Sequence, residues 1–262
     1  MLKEGLAISS NAEGDLTLTL DSNYVHVDHV FRPNDVWANF KYWLTLRILR
    51  RRFSENGKPR VYDLGCGSGF FCGQLINIGF EVIGVEPDRE AFALATKNQE
   101  LNGATFLNTP IDKIGIKSDA DAIIMHDVLE HIDAEHATLC SVANLLKDSG
   151  LLVISVPASE LLFGYHDRQL GHFRRYSKSS LRRALNPLFH IHSIRYIGAI
   201  GLVPILLFSK ILKTSFPISS DASISFIQRV FSWLLHVEWL LHLPFGGGLI
   251  VVATKRDQPL VV

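Results

Sequence analysis

The sequence predicts an α/β protein with a parallel sheet covered by helices on both faces. Two observations carry this prediction. Strand-like and helix-like stretches alternate at short spacing between residues 60 and 156, and such alternation builds parallel sheets through crossover helices. The strand-like stretches are mainly apolar, as expected for strands buried on both sides.

Each element follows from its own pattern. Residues 1–35 are mixed and polar, a lead-in of no assigned structure with one alternating stretch, Leu16-Thr-Leu-Thr-Leu20. From 35 to 53, Trp37, Phe40, Trp43, Leu44, Ile48 and Leu49 recur mostly at three and four, the period of a helix face, and Asp35 is placed to cap it. Arg50, Arg51 and Arg52 close that helix before a polar turn. Strands are expected at 60–64, 81–85, 105–107, 121–125 and 151–156, the last after an Asp-Ser-Gly turn. Helices are expected at 70–78, 89–101 and 134–146. Beyond Pro157 the alternation stops. A short helix at 177–184, a strand at 190–196, two very apolar helical segments at 198–213 and 224–243, and a last strand at 249–253 complete the chain. The organisation is a lead-in and helix (1–57), a core (58–160) and a C-terminal region (161–262), read as one structural domain.

Composition narrows the function classes. The 262 residues include 26 basic and 26 acidic side chains, so no protein-wide field draws the chain to nucleic acid or anionic lipid. An apolar content of 47% supports a full core and excludes a disordered or fibrous chain. Cys66, Cys72 and Cys140 form no C-x-x-C pair, which argues against a disulfide framework and a thiolate zinc site. The first residues hold no apolar core of signal-peptide length. The most apolar run, 197–208, is twelve residues with two glycines and a proline, where a spanning helix needs about 20. A cytoplasmic protein is expected.

The most informative stretch is Val61-Tyr-Asp-Leu-Gly65-Cys-Gly67-Ser-Gly69-Phe-Phe. A strand runs into glycines and leaves as a helix. Glycine accepts left-handed backbone and lets a ligand approach the main chain, and ligands of open α/β sheets bind at the carboxyl ends of strands. An ordinary glycine-rich turn looks the same. The spacing is G-x-G-x-G, not the dinucleotide G-x-G-x-x-G. Asp63 lies two residues before the first glycine, and Glu86 ends the next strand, 17 residues after Gly69. A carboxylate there can accept both ribose hydroxyls of a nucleoside.

Together these residues resemble motif I and its acidic partner in the class I S-adenosylmethionine-dependent methyltransferases, over residues 58–160. The resemblance implies a Rossmann-like seven-stranded sheet with a reversed last strand and the apolar insert before it. It implies S-adenosyl-L-methionine as cofactor. Asp63 would sit near the methionine amino group, and Gly65, Cys66, Gly67 and Gly69 would line the methionine and ribose. Glu86 would hold the ribose hydroxyls, and Pro87 would flank the adenine. Ile111 would pack on the ring, with Asp112 as a further adenine contact.

Two later segments extend the resemblance. Met125-His-Asp-Val-Leu-Glu130-His131-Ile resembles the V-L-E-H segment of methyltransferases that include the ubiquinone-biosynthesis O-methyltransferases. Asp167-Arg-Gln-Leu-Gly-His172-Phe-Arg-Arg-Tyr176 resembles a D-x-x-x-G-H-x-R-R-Y segment of a large bacterial branch of that fold, and Trp43 with Arg47 resembles its aromatic-plus-arginine start. Asp127, Glu130 and His131 share one face if a helix starts there, and His172 can reach the same mouth from a later loop. Such oxygen and nitrogen ligands suit a divalent ion. The set Asp127, Glu130, His131 and His172 is similar to the E-x-x-E-H with a later His that binds metal in small-RNA 3′-end 2′-O-methyltransferases, with Asp replacing the first Glu. A helix cap at Glu130 and a packed His131 would explain the same residues without metal. His126, His131 and His172, with Asp127 among them, are the candidate catalytic groups, because histidine titrates near neutrality. Arg174 and Arg175 suit a phosphate or carboxylate on the acceptor, or a pair with Asp167.

The C-terminal segment around Phe226, Val230, Trp233 and Leu240 is apolar nearly all round. A buried cap, a homodimer interface, an acceptor tunnel and contact with the inner face of a membrane all fit that pattern. The expected function is methyl transfer, to oxygen, on a small or lipid-linked (natural-product, glycan or quinone-like) acceptor. RNA 2′-O-methylation is an alternative, but the neutral total and the greasy insert weigh against nucleic acid. A nicotinamide-dependent oxidoreductase is disfavoured by the glycine spacing and a missing Tyr-x-x-x-Lys. A non-catalytic nucleoside-binding scaffold would be favoured by loss of Asp63, which is present.

Overall fold

The computed structural model describes residues 6–10, 16–20, 35–53, 57–115, 118–202, 206 and 226–256. Two short strands, β1 (Leu6–Ser10) and β2 (Leu16–Leu20), pair antiparallel within the lead-in. Helix α1 (Val36–Arg52) follows. Its cap is the expected one: the Asp35 carboxylate accepts from the N–H groups of Trp37 and Ala38, both at 2.9 Å.

The main sheet contains β3 (Arg60–Leu64), β4 (Glu81–Val85), β5 (Ala104–Leu107), β6 (Ala120–His126), β7 (Leu146–Pro157), β8 (Phe189–Ile197) and β9 (Gly248–Lys255). The strand order is β5-β4-β3-β6-β7-β9-β8. β9 runs antiparallel to both neighbours, and the remaining pairs are parallel. This is the seven-stranded sheet with a reversed last strand. The order changes direction between β3 and β6. The chains leaving those two strands diverge there and open a crevice at the carboxyl ends.

Among the described residues six further α-helices connect or cover the strands: α2 (Phe70–Asn77), α3 (Arg89–Lys97), α4 (Glu135–Leu145), α5 (Tyr165–Gln169), α6 (Lys178–Leu185) and α7 (Phe226–Leu241). Side chains alternate along each strand, so the sheet builds two cores. Val61, Ala122, Ile124 and Val153 pack on one side with Phe40 and Leu44 of α1, Phe71 and Leu75 of α2, and Leu235 of α7. Tyr62, Ile123, Met125 and Ile154 pack on the other with Leu139 and Val142 of α4 and Leu181 and Leu185 of α6. Burial of one such side chain contributes about 1.5–3 kcal/mol, so the strands are held by both layers at once.

Some boundaries differ from the sequence pattern. The helix expected to reach 101 stops at Lys97, because Asn98 breaks it and caps a one-turn 3-10 helix, Gln99–Leu101. Residues 146–150, expected as a helix end and turn, join β7 with a register shift against β6. The five residues of α5 are too few for a periodic signal. The apolar segment 198–213 lies mostly outside the described residues, and 224–243 appears as α7. Among the described residues no helix is long and apolar enough to cross a membrane.

Candidate active site

The chain leaves β3 and turns through Gly65, Gly67 and Gly69, whose φ values are 75°, 55° and 80°. At Gly65 an added Cβ would stand 2.4 Å from Val128 Cγ2. Backbone and space therefore both demand glycine. The N–H groups of Gly65 and Cys66 donate to the Val85 carbonyl at 2.7 and 3.1 Å, which ties the loop to the end of β4. Glu86, the next residue, is 3% exposed. Its two oxygens accept from the N–H groups of Gly67 (2.8 Å) and Asp88 (2.9 Å). Each oxygen retains a lone pair for a further donor. Asn108 closes the far side by donating to the carbonyls of Glu86 and Pro87 at 2.8 and 3.0 Å. Ile111 is buried and Asp112 exposed, on the 3-10 turn that follows β5.

Asp63 is buried beneath the loop, where the Cys72 thiol donates to it at 3.4 Å. Burial pushes its carboxyl up to about 7. A cation placed beside it would favour the ionised form again.

The end of β6 is roofed by α1. Lys41 donates to the Asp127 carboxylate. The Thr45 hydroxyl pairs with His126 Nε2 at 3.1 Å, and His126 Nδ1 pairs with Ser155 Oγ at 3.0 Å. Ser155 also donates to Asp127 at 3.3 Å. Burial, and then Lys41, drive the His126 imidazole down to about 3. With both nitrogens engaged and the ring held neutral, His126 orients its neighbours rather than taking a proton. Asp127 has φ 53°, strained for a residue with a side chain. Burial lowers the Lys41 ammonium to about 8. Tyr42 stacks on Phe71 with centroids 4.7 Å apart. Lys41, Tyr42 and Thr45 escaped the sequence reading. A signal was present: Lys41 and Thr45 follow Phe40 and Leu44 directly, four residues apart, and all four are buried.

The stretch after β6 does not start a helix. Leu129–His131 is a single 3-10 turn, and α4 begins only at Glu135. The shared helix face expected for Asp127, Glu130 and His131 is therefore absent, because the φ of Asp127 turns the chain away first. Asp127 is also corrected as a metal ligand, since Lys41 occupies its carboxylate. Glu130, His131 and His172 do converge, with one ligand atom from each lying within 4.8 Å of the others. Neither oxygen of the fully buried Glu130 finds a hydrogen-bond donor among the described residues. Burial pushes its carboxyl up to about 8. The rings of His131 and His172 meet edge to face, 4.6 Å apart.

Asp167 holds His172 from behind. It accepts from His172 Nδ1 (2.9 Å), Arg175 Nε (2.6 Å) and the Gly164 N–H (2.8 Å). Burial alone would raise its carboxyl, but the His172 and Arg175 hydrogen bonds outweigh it and lower the group to about 2. The Asp167 carboxylate takes up the Nδ1 side of His172 and leaves Nε2 for another partner. Arg175 is thus committed to Asp167 and to the Ala158 carbonyl, which corrects its expected role at the acceptor. Arg174 donates to the Asp133 carbonyl at 3.3 Å, lies 3.9 Å from the Glu135 carboxylate, and borders a cavity of about 360 Å³ with Phe163, Phe173, Tyr176 and Glu135. Its guanidinium lies 5.7 Å from the Phe173 ring centroid.

A family profile described as a methyltransferase domain matches residues 37–195. The chain belongs to the class I S-adenosylmethionine-dependent methyltransferases. The ubiquinone biosynthesis O-methyltransferase of Rhodopseudomonas palustris (strain TIE-1) is 27% identical over 114 residues, 40% of this chain and 45% of that protein. The chain therefore matches less than half the length of this curated relative. A SAM-dependent methyltransferase from Archaeoglobus fulgidus superposes with a TM-score of 0.52 at 21% identity, covering 82% of this chain and 94% of the other. Phosphoethanolamine N-methyltransferase 2 of Haemonchus contortus, solved with S-adenosyl-L-methionine, gives 0.57 at 16% identity, covering 84% and 53%. At these identities the solved structures share the fold.

S-adenosylmethionine is the cofactor of this family. The residues at the β3 and β4 ends fit it. A glycine loop with no room for side chains, a carboxylate with lone pairs to spare and a buried acid that a cation would ionise stand together at the switch point of the sheet.

Proposed function

We propose that the methyltransferase moves a methyl group from S-adenosylmethionine to an oxygen of a small or lipid-linked acceptor. One arrangement carries the reading: a glycine loop and a carboxylate suited to a nucleoside stand at the ends of β3 and β4, and Glu130, His131 and His172 converge after the neighbouring strands β6 and β7. In this reading Glu86 accepts the ribose hydroxyls, and Asp63 meets the methionine ammonium. Gly65, Cys66, Gly67 and Gly69 line the cofactor, while Pro87, Ile111 and Asp112 border the adenine. The sulfur–methyl bond breaks with its electron pair remaining on sulfur, and the oxygen–methyl bond forms in line. The acceptor hydroxyl is held at the Glu130–His131–His172 cluster and loses its proton to water. The chain contributes alignment.

Support for a greasy acceptor comes from α7. Leu235 anchors it in the core, and Phe40 and Trp43 of α1 enclose His236. The outward residues Trp233, Leu240 and Leu241 are 64%, 73% and 64% exposed. This face lies beside the helix that roofs the site, and it would follow an acceptor chain or the inner surface of a bilayer carrying one. Arg174, at the rim of the Phe163–Phe173 cavity, would meet an anionic head group.

Acceptors that differ only in alkyl length test the reading. Each buried methylene contributes about 0.8 kcal/mol, so KM should fall steeply with length. The product should carry its new methyl on oxygen by mass spectrometry. Turnover indifferent to length sinks the greasy acceptor, and a methyl on nitrogen or carbon sinks the oxygen nucleophile.

A further inference from the structure

We propose that Glu130, His131 and His172 bind one first-row divalent transition-metal ion, with Asp167 as the positioning residue behind His172. Ion binding itself is independent of the acceptor reading, and only the ion's role rests on it.

Three observations point to the ion. First, one ligand atom from each side chain lies within 4.8 Å of the others. Two ligands on one ion, each at about 2.1 Å, stand at most about 4.2 Å apart, so a small rotation of the exposed His131 completes the set. Second, Glu130 is fully buried and neither of its oxygens has a donor among the described residues. A buried carboxylate without partners is costly, and a cation between it and two imidazoles supplies the missing charge. Third, His172 gives its Nδ1 to a buried carboxylate at 2.9 Å. Metal-bound histidines are commonly held this way, because the second hydrogen bond sets ring orientation and tautomer.

The ligand chemistry selects the ion. Two imidazoles and one carboxylate suit Mn²⁺, Co²⁺ or Zn²⁺ better than Mg²⁺ or Ca²⁺, which favour all-oxygen shells. Three protein ligands leave positions open for water or an acceptor oxygen. A hydroxyl bound there becomes more acidic, which prepares it as the nucleophile. Asp127 takes no part, since Lys41 holds its carboxylate.

The experiment uses the full chain, stripped with a chelator and then freed of it. Mn²⁺ binding is followed by the loss of its free electron-paramagnetic signal and Zn²⁺ binding by calorimetry. Affinity for S-adenosylhomocysteine is measured in the same samples. One ion per chain is expected. Glu130→Gln, His131→Asn and His172→Asn should each weaken it at least about tenfold and Asp167→Asn by about 10–100-fold, with S-adenosylhomocysteine affinity retained. Asp127→Asn should leave ion affinity unchanged. No saturable ion binding by the wild-type chain overturns the proposal, as does equal affinity in wild type, Glu130→Gln and His131→Asn. Should Glu130→Gln lose its fold, seen as lost S-adenosylhomocysteine binding, the exposed His131→Asn decides. Loss of cofactor-product binding in the wild type would instead strike the cofactor reading and leave the ion result standing.

Discussion

Glu86→Gln separates two duties of one carboxylate. In the ligand-free chain each oxygen accepts one backbone N–H, from Gly67 at 2.8 Å and Asp88 at 2.9 Å, at 3% exposure. An amide of the same shape offers one acceptor and one donor group. One of those N–H groups would then face a donor, and the fold should lose about 1–3 kcal/mol. The cofactor loses more specifically. In the proposed function two ribose hydroxyls would meet a charged acceptor, each such bond contributing about 1.5–3 kcal/mol, and the amide would replace one of them without charge. A net loss of about 2–3 kcal/mol follows, or about 30–150-fold in Kd. Calorimetry with S-adenosylhomocysteine reads the second effect, and urea denaturation reads the first. Affinity within about threefold of wild type, alongside a measurable loss of stability, would mean that Glu86 only fastens the loop.

Asp167→Ala should destabilise the chain by about 3–5 kcal/mol, because it strands the buried Arg175 guanidinium. Urea curves check this, and a loss below about 1 kcal/mol would mean that water replaces the carboxylate. Burial raises Asp63 to about 7, so the folded chain keeps a proton there that the unfolded chain releases above its usual 3.8. The stability this group contributes is full below 3.8 and is lost as pH rises through 7. His126, lowered to about 3, acts in the opposite sense, so the informative quantity is the difference from Asp63→Asn. That variant should gain on wild type as pH rises from about 4 to 7 in ligand-free urea titrations, at up to about 1.4 kcal/mol per pH unit, the slope set by one retained proton, and the gain should level off above 7. A difference independent of pH would show that Asp63 is ionised in the fold.

Much of this protein was legible in its sequence because the relevant physics is local. Mainly apolar stretches of five to seven residues bounded by glycine or polar turns mark β3, β4 and β6. The Asp35 cap and the spacing of Phe40, Leu44 and Leu49 mark α1. The glycine loop was legible because positive φ at Gly65, Gly67 and Gly69 admits few other residues. Glu86 was legible because a strand end has a fixed distance from the next loop. The acceptor side was not, because its partners are remote in the chain. Lys41 reaches across 86 positions to claim Asp127, which keeps that acid apart from Glu130, His131 and His172. Glu130 and His131 meet His172 only because the loops after β6 and β7 fold over adjacent strand ends. Arg174 and Arg175 are neighbours of one charge, yet one borders a cavity and the other is locked to Asp167. Propensity and periodicity decide which elements form. Which side chains share a site is decided by strand order and by the turns between strands, and local sequence carries no record of that distance.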